Sequence, residues 1–569
     1  MEAPVKKFCK KVIEEVESGR VKGKAELEIL KLSVAKSIHA AAGTAIIREM
    51  PSNPDILSNA KNPSRKLLEM LSIKPLRTLS GVAPVAIMTR PDRCPHGTCI
   101  YCPGGPGSPF GNVPQSYTGH EPATMRGISN NYDPYAQTIS RIEQYYATAH
   151  NPEKIELIIM GGTFPATPRQ YQEEFIEGAF RAANDFPEKF FEHGMSMPHK
   201  FYARAERGSK EPHPAPQTPH GNLEREQARN EEARIRIVTM CIETKPDWCK
   251  EPHINEMLHL GATRVELGAQ SLYDEVLAFT HRGHTLDDTI EATRLLKDSG
   301  LKVTYHMMPG QPMSSHSKDI EMFREAFGND DFRPDGLKIY PCMVMPGTAL
   351  AKIYEQGKFS PLSTAEAAEI IAEAKRFFPE WTRVHRVQRD IPVKLALGGI
   401  DKNNLRQLVE QKCEEKGARC RCIRCRESGI NTGKGASIDY SNISLVEREY
   451  TASKGKEVFI SFEDMTNDLL LGFCRLRMPH APFRKEFTGS TSCIRELHVF
   501  GAQLGLGEKK DTSQQHRGFG HRLLSRAEEI AKERFGADKM LVTSGVGARE
   551  YYRRKHAYSR EGAYMAKEL

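Results

Sequence analysis

No stretch of the 569-residue sequence approaches the ~18 consecutive apolar residues of a membrane span, and apolar residues make up only 39% of it. Membrane-spanning helices are therefore not expected. The opening MEAPVKKFCKKVIEEVESGR carries lysines but no apolar core or cleavage site, so no secretory signal is expected and the chain reads as cytoplasmic. A large surplus of one charge is missing as well. The 81 Lys+Arg against 73 Asp+Glu permit a polyanionic partner without requiring one. Cysteine pairing is also lacking: 13 cysteines, an odd number gathered mainly in two clusters, point to metal sites in a reducing compartment rather than disulfides.

What is present divides into three or four units, given a prior of ~150 residues per domain. Residues 1–75 read as a basic helical region. In it Lys6, Lys7, Lys10, Lys11, Arg20, Lys22, Lys24, Lys31 and Lys36 alternate with Val12, Val16, Leu27 and Leu30, suiting either a solvated face or phosphate binding. From 76 to 395 short β-branched runs alternate with helical patterns, with strands expected at 83–88, 155–160, 235–242, 263–269, 301–307, 336–340 and 382–387. That alternation implies a parallel α/β sheet, as a complete or partial barrel or a doubly wound sheet. The stretch 206–232, with Pro212, Pro214, Pro216 and Pro219 among polar residues, reads as an exposed insertion. Residues 396–440 hold the second cysteine group. A separate α+β pattern follows over 441–569, with strands at 458–462, 469–476 and 494–500, a helix at 515–534 and a strand at 539–543.

The most informative motif is Cys94-x4-Cys99-x2-Cys102, in RPDRCPHGTCIYCPGG just after the first strand. Three thiolates can hold an iron–sulfur cluster by three irons and leave the fourth open to a small molecule; by spacing alone, a zinc knuckle remains the alternative. Met160-Gly161-Gly162-Thr163 ends the second strand, and paired glycines there let backbone carbonyls approach a ligand. In a cluster-bearing barrel this is where the amino group of S-adenosylmethionine sits. Glu266, Gly268 and Gln270 share one strand face and add polar groups to that site, with inward salt bridging as the alternative. Gln515-x-x-Gly518-x-Gly520 opens a helix and offers successive N–H groups suited to a pyrophosphate. It resembles the acyl-CoA loop of GNAT acetyltransferases. In that fold a tyrosine such as Tyr552 protonates the departing thiolate, while Glu496 and His498, on one strand face, are candidates to activate a nucleophile. Cys420-x-Cys422-x2-Cys425 reads as structural zinc, with Cys413 as a possible fourth ligand. The surrounding Lys402, Arg406, Lys412, Lys416, Arg419, Arg421, Arg424 and Arg426, with Arg475, Arg477, Arg484 and Lys485, form the best candidate for a phosphate-backbone surface.

The runs CPHGTCIYCPGGP, PQSYTGHEPATMR, IIMGGTFPA, CIETKPDWC, RVELGAQS, VQRDIP, RKEFT, RELHVFG, QHRGFG and SGVGAREYY together resemble one family, the catalytic subunit of Elongator, a tRNA uridine acetyltransferase or carboxymethyluridine synthase. The resemblance spans most of 75–569. It implies a radical S-adenosylmethionine partial TIM-type barrel fused to a GNAT-type domain, with a zinc loop near the junction. Carried across, the [4Fe–4S] ligands fall on Cys94, Cys99 and Cys102. The strand ends Gly161, Gly162, Thr163, Glu266 and Gln270 are the candidate S-adenosylmethionine contacts. Acetyl-CoA contacts fall on Lys154, Glu496, Leu497, His498, Val499, Gly518, Phe519, Gly520, His521, Arg522 and Tyr552, and zinc on Cys420, Cys422 and Cys425. One departure stands in the tail, where the family's glycine before the last tyrosine is Ala557.

The expectation that follows is a tRNA-modifying enzyme that installs a carboxymethyl group on C5 of the wobble uridine. The acetyl methyl of acetyl-CoA would supply the carbon, and water, activated by His498, would accept the acyl group. The substrate would be the tRNA anticodon stem-loop and reduction would need an external electron donor. Elongator subunits are possible partners, and action alone or as a homodimer is equally compatible. The competing readings are a protein lysine acetyltransferase with a structural cluster domain and a non-catalytic RNA-binding module that senses metabolites. Neither needs an open iron.

Overall fold

The computed structural model describes residues 3–42, 50–60, 63–73, 78, 81–192, 195–196, 221–501 and 518–569. Its first sheet has seven strands in sequence order: β1 (Ala83–Met88), β2 (Lys154–Met160), β3 (Arg236–Thr244), β4 (Arg264–Gln270), β5 (Lys302–Met307), β6 (Gly336–Ile339) and β7 (Arg383–Val387). Every neighbouring pair is parallel. Helices intervene between most successive strands, as parallel crossovers require, and the sheet curls into a partial barrel. Along β2 the burial alternates. Ile155, Leu157 and Ile159 are fully buried in the helix-covered core. The alternate face carries charge: Arg264 on β4 pairs with both Glu156 on β2 and Glu266.

The N-terminal region is helical. Helices α1 (Ala3–Glu17) and α2 (Lys24–Ala42), with short helices at Asn53–Ser58 and Arg65–Leu71, enclose their own core of Phe8, Val12, Val16, Leu27 and Leu67. Lys6, Lys7, Lys10, Lys11 and Lys36 remain exposed, whereas Lys31 is buried against Glu28.

The expected insertion needs correcting at its C-terminal end. Residues 206–220 lie outside the described residues, but Leu223–Glu232 is a helix packed beside the long helix Arg169–Phe190 (α3), and is α4 here. Its burial is polar. The Asn184 amide donates to Glu226 Oε2 at 2.9 Å, and Asn230 donates to Asn184 Oδ1 at 2.8 Å and to the Ile235 carbonyl at 3.0 Å.

The second sheet runs β8 (Ile443–Ala452), β9 (Gly455–Asp464), β10 (Leu469–Met478), β11 (Thr491–Val499), β12 (Lys539–Val542), then β14 (Tyr564–Glu568) and β13 (Ser559–Glu561) at the edge. Only β11 and β12 pair in parallel. Beyond the barrel helices α5 (Leu286–Asp298) and α6 (His316–Gly328), helix α7 (Phe519–Phe535) covers one face of this sheet, burying Leu523, Leu524, Ala527 and Ile530. The other face closes the N-terminal end of the barrel. Lys302, first in β5, pairs with Glu496 at 3.1 Å; Asp335, just before β6, pairs with Arg495 at 2.7 Å; the Trp381 carbonyl, before β7, accepts from Arg475 at 2.6 Å.

That packing corrects the proposed basic surface. Arg475 and Arg477 are 1% and 0% exposed. Arg477 binds Asp298 and Glu457, and Arg495 binds Asp335 and Glu457, so these arginines are the cations of a buried junction. Arg426 is likewise buried against Glu463 and Asp468, while Arg421 pairs with Glu380 and Asp468. Sequence alone lists cations without their counter-charges, and here most are already neutralised.

Candidate functional site

The cysteine loop leaves the C-terminal end of β1, the end where barrel enzymes place their chemistry. Each sulfur has a donor aimed at it. Thr163 Oγ1 lies 3.6 Å from Cys94, the Ser116 N–H donates to Cys102 at 3.2 Å, and Cys99 meets Arg282 Nη1 at 3.5 Å and His96 Nε2 at 3.2 Å. Burial holds His96 at a pKa of about 4, helped by Lys245 and Arg282, so it is neutral at pH 7 with Nε2 facing the sulfur. Burial pushes the Cys102 thiol up to about 11, with Cys99 adding to the effect. Thiolates there need a cationic centre to stabilise them. A single zinc ion with ~2.3 Å bonds brings its sulfurs about 3.8 Å apart. Among the described residues Cys420, Cys422 and Cys425 converge within 4.8 Å, and the Cys94–Cys99–Cys102 trio is not among the groups that do. The wider trio fits a polynuclear cluster, in which each thiolate takes its own iron.

A cavity opens beside the trio, lined in part by Cys94, Tyr101, Gly162, Thr163, Glu266 and Gln270. The expected cofactor residues Gly162, Thr163, Glu266 and Gln270 thus come together, with Gly161 next to them. Both glycines have positive φ, 131° and 97°, and a Cβ at 161 would lie 2.0 Å from Thr89 Oγ1. Tyr101 Oη, Thr244 Oγ1 and Gln270 Oε1 are buried at this cavity without hydrogen-bond partners. Orphaned polar atoms around a glycine cradle fit a polar cofactor with amino, carboxylate and ribose groups. Glu266 bears out the inward salt bridge as well. Burial pushes its carboxyl up, but Lys338, His306 and Arg264 outweigh that and hold it well below the usual range. Tyr117 donates to Glu243 at 2.8 Å on the same wall.

The second group of residues gathers around the start of α7. Pairing of β11 with β12 stops at Ile494–Val542, so the two strands part beyond it. Leu497 and Val499 pack toward the core under α7, where Phe519 and Tyr552 are buried. A Cβ on Gly520 would meet Tyr551 Oη at 3.1 Å and Val499 at 3.7 Å. His521 stacks on His556 at 5.2 Å, and the Arg522 guanidinium lies 4.4 Å over the Phe462 ring. Gly518, with φ 73°, caps the helix, while the expected Gln515, His516 and Arg517 fall outside the described residues. Tyr552, on α8 (Arg549–His556), is kept protonated by burial, reinforced by Cys474 and Tyr551. Lys154 is half-buried at the first position of β2, its pKa lowered by burial, with Lys555 of α8 close enough to contribute.

Glu496 and His498 face the other way, toward the barrel. The Glu496 carboxylate is held by Lys302 at 3.1 Å and Arg475 at 2.9 Å. Burial raises its pKa, but these cations and His498 bring it down to about 2. It is therefore an ion-paired carboxylate of the junction. Its backbone stays on the open edge of β11. His498 stacks on Phe473 with ring centroids 6.0 Å apart.

At the third cluster Cys422 Sγ and Cys425 Sγ are 3.6 Å apart at the start of a short helix, Ile423–Arg426, and Cys413 does not belong to the converging trio. The sequence reading missed His96, Tyr117, Arg282 and Lys338. The run HRGH at 281–284 and the polar alternation after Gly336 were the available signals, but each is too short to stand alone.

Residues 88–325 match the radical SAM superfamily and 334–415 the radical SAM C-terminal domain. The chain is 49% identical to a tRNA uridine(34) acetyltransferase of Methanocaldococcus infernus, covering 99% of this chain and 98% of that protein. It is 39% identical to Elongator complex protein 3 of Saccharomyces cerevisiae over 92% of this chain and 89% of that one. Among solved structures, the archaeal Methanocaldococcus infernus Elp3 with an N-terminal deletion superposes with a TM-score of 0.71 at 46% identity, covering 86% of this chain and 99% of that chain.

Proposed function

Because the chain belongs to the family of the tRNA uridine(34) acetyltransferases and Elongator complex protein 3, we propose that it modifies the wobble uridine of tRNA with a carbon unit taken from acetyl-CoA. The observation that carries this reading is the pairing of two sites in one chain. One is a cysteine trio beside a glycine-cradled polar cavity; the other is the parting of β11 and β12 beneath a glycine-opened helix.

Cys94, Cys99 and Cys102 would hold a [4Fe–4S] cluster, with Gly161, Gly162, Thr163, Glu266 and Gln270 around S-adenosylmethionine. When bound and reduced, that pair supplies a carbon radical. The chain's own residues supply the rest. Positive-φ glycines leave room for the cofactor's polar end, and the neutral His96 and cationic Arg282 steady Cys99. In the C-terminal domain, the N–H groups from Gly518 to His521, ahead of the first helical hydrogen bond from Arg522 to Gly518, would face the pyrophosphate of acetyl-CoA, and Lys154 would approach from the barrel side. Tyr552, protonated at neutral pH, donates to the departing thiolate of CoA, leaving water to take the acyl carbonyl. Cys420, Cys422 and Cys425 would bind zinc and brace the junction. The electron donor is external, and the exposed N-terminal lysines offer phosphate contacts to tRNA.

The geometry adds a constraint. Lys154 opens β2 and Gly161 follows its last residue, about 23 Å away at ~3.3 Å per residue, so the acyl carbon would have to cross the barrel's length. The test is anaerobic reconstitution with iron and sulfide, followed by S-adenosylmethionine, reductant, tRNA and acetyl-CoA labelled in the methyl carbon. Label at C5 of uridine 34 is the expected result. Free formation of 5′-deoxyadenosine without labelled uridine would show the substrate to be wrong.

A further inference from the structure

The guanidinium of Arg282 reaches two parts of the cofactor cavity at once. Nη1 donates to Cys99 Sγ at 3.5 Å, and Nη2 donates to the Gly268 carbonyl, near the C-terminal end of β4, at 2.7 Å. A side chain at 268 would close that approach, since its Cβ would lie 2.4 Å from Nη2. The turn carrying Arg282 is stitched to the cysteine loop on both sides. The Ile100 N–H donates to the Thr280 carbonyl at 3.2 Å, and Gly283 sits so close to His96 that a Cβ would come within 2.6 Å of it.

The three cysteines are treated unequally. Cys94 receives a neutral hydroxyl and Cys102 a neutral amide, while Cys99 receives an imidazole and a full cation. Burying a cation without an anion is costly, so buried arginines are normally paired. Arg282 is 8% exposed, and among the described residues its ion-pair partner is no carboxylate. The negative charge it answers is the sulfur of Cys99. Positive charge and hydrogen bonds at a cluster ligand favour the reduced, more negative state of the cluster.

We propose that Arg282 is a positioning residue that fixes the Cys99 thiolate against the S-adenosylmethionine end of β4 and raises the reduction potential of the cluster. This rests on Cys94, Cys99 and Cys102 being the cluster ligands. The test compares reconstituted wild type, Arg282→Gln and Arg282→Lys at matched iron and sulfide content. The readouts are the midpoint potential by electron paramagnetic resonance and S-adenosylmethionine binding by equilibrium dialysis.

Arg282→Gln is expected to titrate at a more negative potential and to bind S-adenosylmethionine about tenfold more weakly. Arg282→Lys keeps the charge but cannot fork to both partners; it should recover most of the potential and little of the affinity. A residue that only braced the loop would leave the potential unmoved. Wild-type potential and affinity in both variants overturn the proposal, and if Arg282→Gln fails to load, Arg282→Lys decides alone. Failure of the wild type to take up iron would instead overturn the cluster assignment itself.

Discussion

Ala557 holds a backbone conformation that suits glycine better, with φ 57° and ψ 33° at the C-terminal cap of α8. A β-carbon in the left-handed region costs about 1 kcal/mol. Yet Tyr558 just beyond it is buried and donates to Glu528 at 2.8 Å, so the turn forms despite the strain. Ala557→Gly should therefore raise stability by about 0.5–1 kcal/mol, read as a higher midpoint in urea unfolding. Gly161 is the opposite case, because its φ of 131° needs glycine's conformational freedom and the site has no space for a side chain. With Thr89 Oγ1 only 2.0 Å from the position of a Cβ, Gly161→Ala must shift the strand end that faces the cofactor. The expected outcome is full iron loading with S-adenosylmethionine affinity reduced by at least tenfold, the scale of losing about 1.4 kcal/mol. Affinity equal to wild type would remove the strand end from the site.

At the level of elements, the strands of the barrel were legible within one or two residues. Runs such as KIELIIM and RIVTMCIET bury β-branched side chains on the helix-covered face, and that demand is written directly in the sequence. Other elements were not legible, among them the C-terminal strands β13 and β14, the strand β8 and the helix α4. The strand β8, ISLVEREYTA, is half-exposed and mixes charge with apolar residues, so it carries no clean alternation. Helix α4, LEREQARNEE, is almost wholly polar and looked like solvent-facing chain. It is held instead by side-chain amides and by ion pairs to α8, from Arg549 to Glu231 at 3.0 Å and from Arg553 to Glu231 at 2.9 Å. Hydropathy does not register such partners. The cysteine loop at 420–425 was readable because metal-ligand spacing is local, whereas donors such as Arg282 come from far along the chain. For that loop, Cys422→Ser should abolish stoichiometric zinc in metal analysis while the iron content after reconstitution stays unchanged. Loss of both metals together would mean that the two clusters are not independent.

Over the whole molecule the junction between the sheets governs acid stability. Burial raises the Glu457 carboxyl, but Arg495, Lys297 and Arg477 together bring it down to about 2. Asp335 is likewise held well below the ordinary range against burial, mainly by Arg495 and Lys297. A carboxyl depressed in the folded state contributes stability above its unfolded pKa of about 4 and loses it as pH falls toward the folded value. The stability curve should therefore be steep between about pH 4 and pH 2, measured as urea midpoints across a pH series. Glu457→Gln should flatten that slope and cost roughly 3–5 kcal/mol at pH 7, because Arg477, Arg495 and Lys297 would stay buried with only Asp298 and Asp335 left to answer their charge.

The same junction sets a limit on modularity. A fragment cut free after residue 440 would expose Arg475, Arg477 and Arg495 with only Glu457 and Glu496 to answer them, while the barrel would keep Asp298 and Asp335 without the arginines of the second sheet. Exchanging the C-terminal half for that of another enzyme thus demands transplanting Lys297, Asp298, Lys302 and Asp335 with it. The heritable unit is the matched pair of faces, and neither half is a portable part.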